Sequence, residues 1–217
     1  MANRLLILLM LAVCSATIQA DNDPHTLSAQ SREIIKTFSK RLQNELQQAM
    51  ANGGPVNAID VCKVKAPAIA AALSTDGWIV RRTSLQVRNP LNAPDDFERK
   101  FLQDFADKKA SGWAIENLAY YKMREYGDAS EFRYMKAIPT KAVCLTCHGQ
   151  DIPADVRQKL NSAYPDDQAR GYQAGDIRGA FSLRKRLASE NPDRENAPAR
   201  LEDYQAGALP PTITRAP

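Results

Sequence analysis

Residues 141–151 read KAVCLTCHGQD, and this stretch constrains the chain more than any other. Cys144 and Cys147 stand two residues apart and His148 follows directly, although the whole chain holds only four cysteines and two histidines. Any fold that forms must present two thiols and an imidazole on one short turn. Four chemistries use such a pair. A thioredoxin-like redox pair needs a helix that starts at the first cysteine, and Gly149 and Pro153 oppose that here. A zinc site drawing on Cys62, Cys144, Cys147 and His148 lacks a second closely spaced ligand pair. A disulfide across two residues is strained and leaves His148 without a role. Covalent haem attachment uses all three: the thiols add across the two vinyl groups and the imidazole reaches the iron. The pattern therefore predicts one haem c, held through Cys144 and Cys147, with His148 on the metal.

The rest of the sequence is compatible with that expectation. The segment MANRLLILLMLAVCSATIQA has a basic Arg4, an apolar run from Leu5 to Val13 and small residues before Ala20. That is the order of a secretory signal, and the run is too short to span a bilayer. Residues 1–20 are thus expected to be removed after Ala20, leaving a periplasmic protein without a membrane span. An uncut anchor, or lipid attachment at Cys14 after the unfavourable Val13, are the alternatives. Without Cys14 the chain keeps Cys62, Cys144 and Cys147, an odd number where thiols normally pair. Net charge is +4, with both signs interspersed and no basic block longer than Arg184-Lys185-Arg186, which argues against nucleic acid as a partner.

Periodicity predicts an α+β domain over residues 21–190. Ile34, Ile35, Phe38, Leu42 and Leu46 recur at helical spacing from Thr26 to Met50, and NGGP at 52–55 ends that long helix. A second helix spans VNAIDVCKVKAPAIAAAL, with Pro67 as a kink or restart. Alternation of Thr83, Leu85 and Val87 predicts a strand through GWIVRRTSLQVRNP. APDDFERKFLQDFADKK is a helix with acids in its first turn and lysines in its last. GWAIENLAYYKMREYG and SEFRYMKAIPT suit antiparallel strands, a short helix falls near 153–162, and DIRGAFSLR is the last strand. From residue 191 to 217 the chain is proline-rich and aperiodic, a flexible tail.

The second axial position of the iron has several claimants: His25, Met50, Met123, Met135, Cys62, or none. Cys62 is distinguished as the unpaired thiol, on a helical face with Ala58, Ile59 and Ala66 and flanked by Lys63 and Lys65. The residues alone leave this open. Haem propionates call for cations, and Arg81, Arg82, Arg88 and Arg178 are the candidates. Trp78 and Trp113 are expected to pack in the core. No general acid–base constellation is visible, so the chain is not expected to be an enzyme.

AIDVCKVKAPAIA, VRRTSLQVRNPLNAPDDFE, FRYMKAIPT, CLTCHG and GDIRGAFSL together resemble a family of exported single-haem c proteins, from about residue 30 to about 185. The same domain forms the extracytoplasmic part of some membrane sensor kinases. The resemblance implies a PAS-like fold, an antiparallel sheet of about five strands flanked by helices. It also implies that a cysteine of the early helix, here Cys62, joins His148 on the iron. Thiolate ligation stabilises ferric iron and lowers the potential. The implied function is periplasmic electron transfer to a redox partner protein. The alternative is a haem-based redox or gas sensor that signals to a partner.

Overall fold

The computed structural model describes residues 22–126 and 129–187; the leader expected over 1–20 and the tail expected over 191–217 lie outside the described residues. Helix α1 (Pro24–Asp60) opens where the Asp23 carboxylate accepts the His25 and Thr26 amides at 3.0 Å, with Pro24 in the first turn. It breaks at Gly53 and Gly54, as NGGP predicts; Gly54 has φ +66°, a left-handed conformation suited to glycine. Helix continues from Pro55, then widens into a single π-turn, Val61–Lys65, where the Ala66 amide bonds back to the Val61 carbonyl. Helix α2 (Ala66–Ala72) follows with Pro67 in its first turn. Because proline has no N–H, the Lys63 carbonyl cannot make its α-helical bond, which favours the wider turn just upstream.

The sheet has four strands among the described residues: β1 (Trp78–Thr83), β2 (Ala119–Tyr126), β3 (Ala129–Pro139) and β4 (Ile177–Leu187). Their order is β1-β4-β3-β2, every neighbouring pair antiparallel. Side chains alternate across it. Val80, Phe132, Tyr134, Phe181 and Leu183 meet α1 through Leu27, Ile35 and Phe38, whose ring lies 5.2 Å from Phe181. On the other face Met135, Ala137 and Ala180 meet Phe101, Leu102 and Phe105 of α3 (Asp96–Ala110). The α+β class is as expected: one sheet between a long N-terminal helix and a second helix.

Beyond the sheet's end a third cluster joins Ile59 of α1 to Ile152, Val156, Leu160 and Tyr164, with Cys147 packed against it. Its helix is the expected short one, here at Ala154–Ala163. Three details differ from expectation. The sheet has four strands among the described residues, where about five were expected. The first strand stops at Thr83, not near residue 88. Ser84 turns its hydroxyl to the carbonyls of Gln86 and Arg178, each 2.9 Å away, and Leu85 is exposed, so the alternation at 83–88 belongs to a loop. Trp78 is buried edge-on to Phe132, but Trp113 is 56% exposed, with Lys108 over its ring.

Candidate cofactor site

After β3 the chain winds through a 3-10 turn (Ala142–Cys144) into one turn of helix, α4 (Leu145–His148). Cys144 and Cys147, with two residues between them, stand at positions i and i+3 of that turn, so their side chains share a side. Both thiols are free and partly exposed, as is Cys62. Gly149 closes the turn by donating its amide to the Leu145 carbonyl at 2.8 Å. A Cβ there would lie 2.6 Å from that same oxygen, which accounts for glycine directly after His148.

His148 is fixed from behind. Its Nδ1 lies 2.8 Å from the Ala169 carbonyl, and its own carbonyl accepts the Tyr172 amide at 2.9 Å. Burial pushes the imidazole down to about 2, and the Arg178 and Arg88 charges push the same way. The ring is therefore neutral, Nδ1 holds the proton for Ala169, and Nε2 keeps a lone pair for a metal. Burial pushes the Cys147 thiol up, and the Cys62 and Cys144 thiols add to it against Arg88.

Cys62 sits in the π-turn, a feature that recurs at functional sites. It lies near enough to Cys147, Arg82 and Tyr164 to influence all three, which places it close to the motif. Next to it, Lys63 donates to the Ala163 carbonyl at 3.2 Å and ties the π-turn to the helix behind Tyr164. Burial, reinforced by Cys62, pushes the Tyr164 hydroxyl up to about 12. Three of the other claimants lie elsewhere. His25 packs against Tyr121, Met123 joins the α1 face of the sheet, and Met135 is fully buried on the α3 face.

The four arginines separate. Arg81 projects to the α3 face, donating to the Leu91 and Ala93 carbonyls at 3.0 and 2.7 Å near Glu98. Arg88, off the sheet and 7% exposed, bonds Asp167 at 2.9 Å, the Cys147 carbonyl at 2.6 Å and the Ala169 carbonyl at 3.1 Å. It clamps the motif to the 167–169 loop. Arg178 lies 3.2 Å from His148 Nδ1 and bonds Ser84 at 2.9 Å. Arg82 alone of the four has no hydrogen bond or ion pair among the described residues; its guanidinium lies over the Phe38 ring. Burial presses it below its ordinary value, with Cys62 pulling the other way. The roles of Asp167 and Tyr164 were not visible in the sequence, since neither belongs to a motif.

A two-ligand haem iron fits this donor set: a neutral histidine with a free Nε2, a thiol from the facing turn, two attachment thiols on one side, and an unpaired cation. Among the described residues no group of three or more His, Cys, Asp and Glu side chains is placed to hold a metal ion together. A separate cavity of about 470 Å³ between α3, Ser84–Gln86 and Tyr172 includes none of the cysteines or His148 in its lining.

The fold and site define an α+β sheet protein with a histidine–thiol pocket at one end of the sheet. The family model described as Tll0287-like matches residues 14–185, and the chain belongs to that family. Among solved structures it is similar to the crystal structure of the cyanobacterial heme-protein Tll0287. Identity is 24%, with a TM-score of 0.55, over 78% of this chain and 99% of that one. At that identity the likeness establishes the fold. No curated protein matches the chain.

Proposed function

We propose that this protein is an exported c-type haem protein. In this reading one haem is bound through Cys144 and Cys147, His148 and Cys62 are its axial ligands, and the protein passes electrons to a partner protein in the periplasm. The observation that carries the reading is that Cys62, 85 residues upstream of Cys147, lies near enough to push that thiol up, while Lys63 beside it bonds the end of the helix against which Cys147 packs. Bound haem would supply one-electron chemistry at its iron. The protein's own residues supply orientation and charge. The Ala169 carbonyl holds the proton on Nδ1 of His148 and so aims Nε2. Arg82 is the cation left for a propionate, since the other three arginines are engaged by protein groups. If His148 and Cys62 both held the iron, the site would favour a carrier over a catalyst that must bind substrate at the metal.

One observation favours sensing as a second reading. Cys62 lies on a π-turn between helical segments, and relaxing that turn to α geometry would rotate the residues after it by about 100°. Ligand release could thereby shift α2 against the sheet.

The test is the absorption spectrum of wild type and Cys62→Ala, both co-expressed with a haem c maturation system, ferric and ferrous. Covalent haem in both proteins, with loss of the low-spin thiolate pattern in the variant, is expected. Coincident ferric spectra remove Cys62 from the iron, and absence of covalent haem in wild type defeats the proposal. Exposure to carbon monoxide separates the two functions: a carrier keeps its spectrum, and a sensor exchanges Cys62 for the gas.

A further inference from the structure

Nδ1 of His148 has two neighbours that cannot both be hydrogen-bond partners of a neutral ring. The Ala169 carbonyl at 2.8 Å can only accept, so Nδ1 must carry a proton for it. A protonated Nδ1 cannot accept the Arg178 Nε–H, yet Arg178 Nε is held 3.2 Å away. The guanidinium stays there because other groups fix it. Its Nη1 bonds the Ser84 hydroxyl at 2.9 Å and approaches the Gln86 carbonyl at 3.3 Å. Its Cζ lies over the Tyr172 ring, 5.3 Å from the centroid. None of these partners is a carboxylate. The nearby acid, Asp167, is engaged by Arg88 and Arg170 at 2.9 Å each, and Asp176 is paired with Lys109 at 2.7 Å.

We infer that Arg178 is a positioning residue that tunes the electron affinity of the metal bound by His148, through a fixed positive charge pressed against the back of the ring. The inference rests on the haem reading above. A carbonyl at Nδ1 makes the imidazole a stronger donor and favours ferric iron. A cation at the same atom opposes that effect, because it disfavours the more positive oxidation state. The step it acts on is the addition of one electron, from an external donor, to ferric iron to give ferrous iron. No bond in the protein changes. Arg178 would thus offset part of the lowering that a thiolate ligand imposes. This role differs from the propionate contact expected from sequence.

The test is an equilibrium redox titration, with dye mediators, of the full haem-loaded chain and of R178Q and R178K, after haem stoichiometry and ferric spectra have been checked. R178Q should retain haem and its spectrum but show a ferrous-to-ferric ratio about tenfold lower at the wild-type midpoint, a shift of about 59 mV for one electron. R178K should recover most of that shift. An unchanged midpoint in R178Q overturns the inference. An equal shift in both variants overturns it too, by showing that shape and not charge is what matters. Failure of both variants to take up haem makes Arg178 a structural residue and likewise ends the inference. Absence of covalent haem in wild type is a different failure, that of the functional proposal itself.

Discussion

Replacing Arg88 by methionine tests whether the pocket is held by one buried guanidinium. The substitution keeps much of the side-chain volume and removes three bonds: to Asp167 at 2.9 Å, to the Cys147 carbonyl at 2.6 Å and to the Ala169 carbonyl at 3.1 Å. Breaking a buried ion pair typically costs about 3–5 kcal/mol, because the remaining charge is left unpaired. Asp167 is not left bare, since Arg170 and the Ala169 amide each still bond it at 2.9 Å. The lower end therefore applies, about 3 kcal/mol. For a domain of this size that corresponds to a melting point lower by about 6–12 °C. Thermal and urea unfolding of the chain expressed without haem maturation measures it directly. Arg88→Met with Asp167→Asn should cost less than the sum of the two single changes, because the pair is removed together. A loss below about 1 kcal/mol, or strict additivity, would refute the clamp.

Two further outcomes follow from groups away from the pocket. Burial raises the Asp95 carboxyl, but the Glu98 amide and Arg133 outweigh it and hold the group below its ordinary 3.8. A depressed folded value stabilises above the unfolded value and is lost as pH falls through the folded one. Asn caps a helix about as well as Asp, so Asp95→Asn should be less stable than wild type at pH 7. The gap should narrow below about pH 3.8, read from urea midpoints. Gly179→Ala puts a Cβ against the Thr83 carbonyl oxygen and 3.1 Å from the Ser84 Cβ, where β4 crosses the end of β1. A loss of about 1–3 kcal/mol is expected in the same urea assay.

What the sequence disclosed divides along physical lines. The motif and the helices were legible because local spacing determines them: Phe101 and Phe105 share a face, and the Gly53-Gly54-Pro55 break is written in residues that cannot do otherwise. The four candidate arginines were legible as types but not as roles. Arg81 and Arg82 are neighbours in sequence, and strand alternation sends one to Glu98 and the other toward Cys62. Arg88 fell on the same alternating pattern, but its partner Asp167 is 79 residues away and pulls it off the strand. The π-turn at Cys62 was indicated only by Pro67, which a helical reading takes for a kink. Long-range pairing decided each of these, and no local pattern encodes it.

The charge around the pocket ties these observations together. Arg88 and Arg178 touch the motif, Arg82 lies near Cys62, Arg170 lies behind Asp167, and Asp167 is the carboxylate that pairs with Arg88 and Arg170. Concentrating that much positive charge beside a buried neutral histidine is unfavourable in the protein by itself. Three ionised groups would compensate it: two propionates, and the thiolate of Cys62 with the metal holding it deprotonated. Arg82, unpaired and pressed down by burial, shows where the deficit lies. On this argument the electrostatics of the folded chain are incomplete without an anionic guest. Covalent loading should then raise stability by more than the removal of apolar surface from water would give. The same cations that hold the guest would also keep its iron from becoming as strong a reductant as the thiolate alone would make it.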